Sequence, residues 1–261
     1  MPGVRFASLG SGSQGNALVV QAGRTCLMID CGFSVRETVS RLARAGLEPS
    51  DLAGIVVTHE HADHGDGVFP LACRFGIPVW LTYGTLGALR ETAGGADEEC
   101  SLELIDPQCA FSIGDLRVQP FTVPHDAREP VQFVLSDGSA RLGVLTDTGC
   151  STAHIVSSLS GCDALVLECN YDLDMLASGP YPPALKARVA SRLGHLDNRT
   201  SGEILAGMDR SRLRHVIAAH LSQTNNTPQL ARAALAAALA CEPQWVSVAT
   251  QDEGFAWRDL D

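Results

Sequence analysis

The run Thr58-His59-Glu60-His61-Ala62-Asp63-His64 places three imidazoles and an aspartate within a few residues of one another. Imidazole and carboxylate are the side chains that bind borderline divalent ions such as zinc, and carboxylate-rich sets also tolerate manganese or magnesium. In an extended or turning segment His59 and His61 point the same way, because side chains there alternate with period two. Asp63 and His64 follow on the next turn and can face a second ion. These four donors are too few for two metals, so distant donors must join them. Any one of these histidines, taken alone, reads more simply as a surface or hydrogen-bonded core residue. Three of them with an aspartate, directly after an apolar strand, point to a metal site.

The elements that must position this cluster follow from patterning. Val4 to Leu9, Ala17 to Gln21 and Thr25 to Ile29 read as paired strands, the first two separated by a Gly/Ser loop and the last two by a turn at Ala22-Gly23-Arg24. Ser34-Val-Arg-Glu37 is a capping box that opens a helix ending near Gly46. Gly54 to Thr58 is short, apolar and β-branched, a buried strand that delivers the chain into the cluster. Helices are expected at Val68 to Phe75, at Thr85 to Thr92, within Pro183 to Leu193, from a Thr200-Ser-Gly-Glu203 capping box, and from Thr227-Pro228 onward. Strands are expected at Pro78 to Leu81, across Leu102 to Val123 with turns at Asp106-Pro107 and Gly114-Asp115, and at Ala164 to Glu168, His215 to Ala219 and Trp245 to Ala249. Val131 to Leu135 and Arg141 to Leu145 form a hairpin around Asp137-Gly138. No Pro/Gly/Ser linker divides the chain and no period repeats, so residues 1–261 are expected to form one domain, two sheets covered by helices on their outer faces.

Composition narrows the class. An apolar fraction of 45% suffices for a packed core. No run reaches the roughly 20 apolar residues of a membrane-spanning helix, and Met1-Pro-Gly-Val-Arg-Phe6 lacks a signal-peptide pattern, so the cytoplasm is the expected location and no membrane partner is expected. The nine cysteines form no C-x-x-C pair and do not resemble a disulfide framework; they read as small buried residues rather than thiolate ligands. A net charge of −11 excludes indiscriminate coating of nucleic acid. Between Lys186 and Arg214, however, seven basic residues stand against three acidic ones, a segment of +4 that reads as solvated helix faces or as a phosphate-facing patch.

The H-x-H-x-D-H run after an apolar strand resembles the metallo-β-lactamase-fold superfamily, and the family's other motifs follow in order. Leu27-Met-Ile-Asp30-Cys-Gly32 looks like its first motif, whose acid is structural and orients the cluster's loop. Val123-Pro-His125-Asp, Leu145-Thr-Asp147-Thr-Gly149 and Ala218-Ala-His220-Leu match its outlying metal ligands. The resemblance implies an α/β, four-layer αββα sandwich with two divalent ions, zinc in the first place and manganese as the alternative. His59, His61 and His125 would hold one ion, Asp63, His64 and His220 the other, with Asp147 bridging. Ser8 to Asn16, Glu168-Cys-Asn170-Tyr-Asp172, Gly194-His195-Leu-Asp-Asn198 and His220 to Pro228 narrow the resemblance to the YycJ/VicX-like branch, over essentially the whole chain. One departure is Asp197, where that branch usually carries serine.

Related phosphodiesterases place a histidine some two dozen residues before the last metal ligand, as His195 precedes His220. There it contacts the substrate phosphate or protonates the leaving oxygen; a helix-terminal histidine is the plainer reading. The loop from Gly10 to Asn16 offers backbone N–H groups and the side chains of Ser11, Ser13 and Asn16 to an anionic substrate, or is a simple turn. His154 and His215 read as structural. The resulting expectation is a hydrolase in which a metal-bridging hydroxide attacks phosphorus, Asp63 accepts a proton and His195 assists the leaving group. A phosphodiester, in nucleic acid above all, leads as substrate, with exonuclease action on DNA or RNA. A cytosolic thioester or lactone hydrolase and a non-enzymatic regulatory or binding protein on a retained fold are the competing classes.

Overall fold

The computed structural model describes residues 3–93 and 99–260; Met1 and Pro2 of the leader reading lie outside the described residues. Strands β1 (Arg5–Gly10), β2 (Ala17–Ala22), β3 (Thr25–Ile29), β4 (Leu52–Val56), β5 (Val79–Leu81) and β6 (Leu102–Leu104) lie in one sheet. A second holds β7 (Phe111–Ile113), β8 (Leu116–Thr122), β9 (Val131–Ser136), β10 (Arg141–Leu145), β11 (Ala164–Glu168), β12 (His215–Ala219) and β13 (Ser247–Val248). The chain then returns to the first sheet, where β14 (Phe255–Asp259) pairs antiparallel with β1. Within the described residues each sheet has seven strands, in the orders β14-β1-β2-β3-β4-β5-β6 and β7-β8-β9-β10-β11-β12-β13 reading from the antiparallel edge. In both, three antiparallel pairings are followed by three parallel ones.

Apolar side chains of the facing surfaces, among them Phe6, Val20, Leu27, Leu116, Phe133 and Val166, form the core between the sheets. Helices cover both outer faces. α1 (Val35–Arg44), α3 (Val68–Phe75) and α4 (Tyr83–Ala93) bury Leu42, Leu71 and Leu86 against the first sheet; the short α2 (Ala62–Gly65) carries the cluster itself. On the second sheet α5 (Ala153–Leu159), α8 (Asn198–Gly207) and α9 (Pro228–Leu239) bury Ile155, Leu205 and Leu235. α6 (Leu173–Ser178) and α7 (Pro183–Val189) stand beside the strand ends. This is the expected αββα sandwich. Among the described residues no helix is long and apolar enough to cross a membrane.

Local signals account for most boundaries. Ser34 Oγ accepts from Glu37 N, and Thr227 Oγ1 accepts from Leu230 N ahead of Pro228, so both N-caps form, though Glu37 binds Arg41 rather than closing the expected box. Gly138 has φ +96° in the hairpin turn. Three expectations need correction. α8 begins at Asn198 rather than from a Thr200 box, because Asp197 caps it first by accepting from Arg199 N and Thr200 N. The expected strand Trp245 to Ala249 keeps only Ser247–Val248, since Pro243 starts a 3₁₀ turn through Trp245. Finally, Cys73 and Cys100 are disulfide-bonded across 27 residues, with their Cα atoms 4.8 Å apart. Folding brings the end of α3 beside the chain entering β6, a proximity that cysteine spacing cannot reveal. Of the others, Cys26, Cys31, Cys162 and Cys169 are buried as expected, and Cys109 is exposed.

Closing a loop of this length constrains the unfolded chain, so Cys73→Ser, or reduction of the bond, should lower stability by roughly 3–4 kcal/mol on the chain-entropy account. Thermal unfolding of the oxidised and reduced protein measures this; coincident transitions would show that the bond adds nothing.

Candidate metal centre

The site lies where the strands of both sheets end. β3 ends at Ile29, and Asp30 after it takes a left-handed conformation (φ +59°) and turns its buried carboxylate back onto the cluster. Asp30 Oδ1 accepts from Thr58 N at 2.7 Å, and Oδ2 accepts from Thr58 Oγ1 at 2.8 Å and from His64 Nδ1 at 2.7 Å. One carboxylate thus fixes the loop after β4 and sets the tautomer of His64. Gly32, two residues on, runs so close to the cluster that an added Cβ would collide with the Asp63 carbonyl oxygen.

The tautomers of the first trio follow from their partners. Thr58 Oγ1 spends its proton on Asp30, so it accepts from His59 Nδ1 at 2.9 Å, which leaves a lone pair on Nε2. His61 donates through Nε2 to the Asp126 carbonyl at 3.1 Å, and His125 donates through Nδ1 to the Gly194 carbonyl at 3.0 Å. Their remaining nitrogens, His61 Nδ1 and His125 Nε2, face one another at 3.2 Å, lone pair against lone pair. His59 Nε2 is buried with no hydrogen-bond partner. Burial pushes His59 well below the ordinary histidine range and His125 down to about 4, so both rings are neutral. Ring nitrogens of three histidines converging in this way are the arrangement a cation resolves.

The second trio is Asp63, His64 and His220. His220 Nε2 lies 3.2 Å from Asp63 Oδ2, and His64 Nε2 lies 3.7 Å from the same oxygen. Asp147, fully buried, reaches both groups: donor atoms of His59, His64 and Asp147 lie within 4.8 Å of one another, and so do those of Asp147, Glu168, His195 and His220. Asp147 Oδ2 is 2.8 Å from His64 Nε2. Burial would raise both carboxylates, but the neighbouring histidines outweigh it, holding Asp63 at about 2 and Asp147 well below the usual range. His220, like Asp30, has a left-handed backbone (φ +54°), a strained conformation for a non-glycine residue that aims its ring from the end of β12. All seven expected donors are therefore gathered in the two expected trios, with Asp147 between them. Nitrogen and oxygen donors in this proportion suit divalent metal ions.

His195 stands beside the centre. Its Nδ1 donates to Glu168 Oε1 at 2.8 Å and to Asp147 Oδ1 at 3.0 Å, which leaves Nε2 for the cleft. Burial works against its charge, yet the two carboxylate hydrogen bonds push it up to about 11. Glu168 is wholly buried, raised to about 7 by that burial, and its Oε2 accepts from Thr148 N. The sequence offered Glu168 only as part of a motif. The usable signal was its place, a carboxylate ending an apolar strand between Asp147 and His220.

Two of the three loop residues expected to bind substrate face inward. Ser11 Oγ accepts from His220 N at 2.9 Å, and Asn16 Nδ2 contacts the Asp63 carbonyl and His64 Nε2 at 3.2 and 3.0 Å; both side chains are buried in the protein's own hydrogen bonds. Ser13 alone is exposed and lines the cleft. The basic segment also divides. Arg210 and Arg212 sit beyond the start of β12, opposite to His220, bound to the Ala238 carbonyl and to Asp163; Arg188 lies at the cleft. It is not one phosphate-facing patch. His154 is exposed and His215 begins β12; neither joins the donor groups.

An αββα sandwich whose facing strand ends collect His and Asp donors defines a metallo-β-lactamase-like protein. The chain belongs to the beta-lactamase superfamily, whose domain model matches residues 25–220. It is 34% identical over 232 residues to the exodeoxyribonuclease YycJ of Bacillus anthracis, covering 88% of this chain and 87% of that protein. It is 31% identical over 230 residues to the exodeoxyribonuclease WalJ of Streptococcus pneumoniae, covering 88% and 86%. The fold also matches the metallo-beta-lactamase fold protein YhfI of Bacillus subtilis with a TM-score of 0.77, at 16% identity over 98% of this chain and 99% of that one.

Because Asp30 sets both Thr58 and the His64 tautomer, Asp30→Asn should weaken metal binding roughly 10- to 100-fold. Competition against a chelator reads this directly, and unchanged affinity would reduce Asp30 to a bystander. Asp197→Ala removes the α8 cap and should cost about 1 kcal/mol in urea unfolding, whereas Asp197→Ser should retain most of it.

Proposed function

We propose that this protein is a metal-dependent phosphodiesterase acting on nucleic acid, an exonuclease. The observation that carries the reading is His195, locked through Nδ1 by two buried carboxylates with Nε2 left for the cleft beside the donor trios. His59, His61 and His125 would hold one ion, Asp63, His64 and His220 the second, and Asp147 would touch both. Two ions so held supply Lewis acidity towards a phosphoryl oxygen and acidify a water. The three-imidazole set favours zinc, and the carboxylate-bearing set accommodates manganese.

The chain's own groups divide the remaining work. Asp63, ionised and partly open to the cleft, takes the proton released by the attacking water. His195 carries a proton on Nε2 towards the scissile phosphate and gives it to the leaving oxygen, while Glu168 and Asp147 hold the ring in place. The similarity to two exodeoxyribonucleases over most of the chain supports DNA as the substrate. The complete donor set speaks against a non-enzymatic role, and no feature of the cleft favours a thioester or lactone. We place the protein in the cytoplasm as a single domain; in that reducing setting Cys73 and Cys100 would be held as thiols.

The test is a panel of end-labelled duplex, single-stranded DNA and RNA substrates with the zinc- or manganese-loaded protein. Wild type should cleave at least one of them. His59→Ala and Asp147→Ala should lose turnover together with bound metal. His195→Ala should lose roughly 10²- to 10⁴-fold in turnover with metal content unchanged. A fully metal-loaded protein inert to every phosphodiester would overturn the reading.

A further inference from the structure

The helix α7 has no buried side chain. Such a helix adds nothing to a core, yet it is held firmly. His195 N donates to the Val189 carbonyl at 2.9 Å, and Lys186 Nζ donates to the Ala177 carbonyl. Behind it, a Cβ on Gly149 would collide with the Arg192 backbone, and one on Gly194 with the Val189 carbonyl oxygen. The backbone is thus docked tightly while the side chains stay open.

Leu185 and Arg188 on the helix, and Tyr181 two residues before it, line the cleft above the donor groups. Leu185 and Arg188 are three residues apart and share a helix face. Leu185 is exposed although apolar, and Tyr181 is half-buried. Arg188 binds Asp126 Oδ2 through Nε at 2.7 Å, which orients the guanidinium and leaves its terminal nitrogens for another anion. Asp126 follows His125 in the chain, so Arg188 is anchored to the rim of the first trio. The cleft encloses about 340 Å³, near the lower end of the range for small-ligand pockets, room for one nucleotide rather than a base pair.

From this placement we infer that α7 and Tyr181, two residues before it, form a reading wall for an unpaired terminal nucleotide. Tyr181 and Leu185 receive the nucleobase, and Arg188 receives a phosphate of the same strand. An aromatic ring beside an apolar side chain stacks any base, and a guanidinium held at one nitrogen still offers a fork to phosphate. The inference rests on the phosphodiesterase reading above and adds the substrate class: a strand end whose last base is free of its partner.

Two single-stranded DNA oligonucleotides that differ only in the terminal residue, one bearing a base and one abasic, test the wall with the metal-loaded protein. Wild type should favour the end with the base by roughly 5- to 100-fold in kcat/KM, the range one base–aromatic stack supplies. Tyr181→Ala and Leu185→Ala should bring that ratio towards one, and Tyr181→Phe, which keeps the ring, should retain it. Arg188→Ala should keep the ratio but flatten the dependence of log kcat/KM on log salt by about 0.7. Wild type indifferent to the base, or a ratio that survives Tyr181→Ala, overturns the inference. If wild type cleaves no phosphodiester, the function fails, and the same ratio read as Kd by fluorescence anisotropy still decides the wall.

Discussion

Three imidazole nitrogens with their lone pairs turned into one small volume are the constraint on which the rest of this structure depends. Left to themselves, the rings of His59, His61 and His125 would rotate apart. Each is prevented by a hydrogen bond on its far side, to Thr58, the Asp126 carbonyl and the Gly194 carbonyl. Those partners are themselves held: Thr58 by Asp30, Gly194 by its packing against the end of α7. The repulsion at the centre is therefore maintained by a shell of satisfied donors around it, and the sheets supply the stiffness that keeps the shell in register.

Much of this centre was legible in the sequence because its donors carry local signals. The cluster from His59 to His64 is dense enough to be read alone. Asp147 and His220 each follow an apolar run that reads as a buried strand, so their placement at strand ends could be expected, whereas His125, after Val123-Pro124, was legible only through the family motif. Glu168 was harder. It meets His195 only because β11 and the turn after α7 come together across 27 residues, and nothing local announces that meeting. Ser11 and Asn16 looked like groups for a ligand, yet the backbone at His220 and Asp63 claims them first. The disulfide and β14 depend on long-range proximity, whereas the cap at Asp197 is local but was obscured by a competing box three residues on.

The two sheets also share a plan that no sequence period betrays. Each passes from three antiparallel pairings to three parallel ones, so β3 and β4 occupy the same positions in the first sheet as β10 and β11 in the second. At those matching places stand Ile29-Asp30-Cys31-Gly32 and Thr146-Asp147-Thr148-Gly149, an aspartate followed two residues later by a glycine. One aspartate orients a histidine from behind; the other reaches into the donor groups. Equivalent positions do different work, and the side chains elsewhere in the two sheets share no period that would read as a repeat.

That shared plan bears on the order in which the molecule is assembled. Neither sheet owns a complete set of donors: His59, His61, Asp63 and His64 come from the first, and His125, Asp147 and His220 from the second. A chain that has formed only β1 to β6 can offer an ion a few loose ligands and no cage. The full donor set exists only where the two apolar faces have closed on one another. An ion held by both sets would fasten the layers like a rivet driven through both plates, resisting their separation.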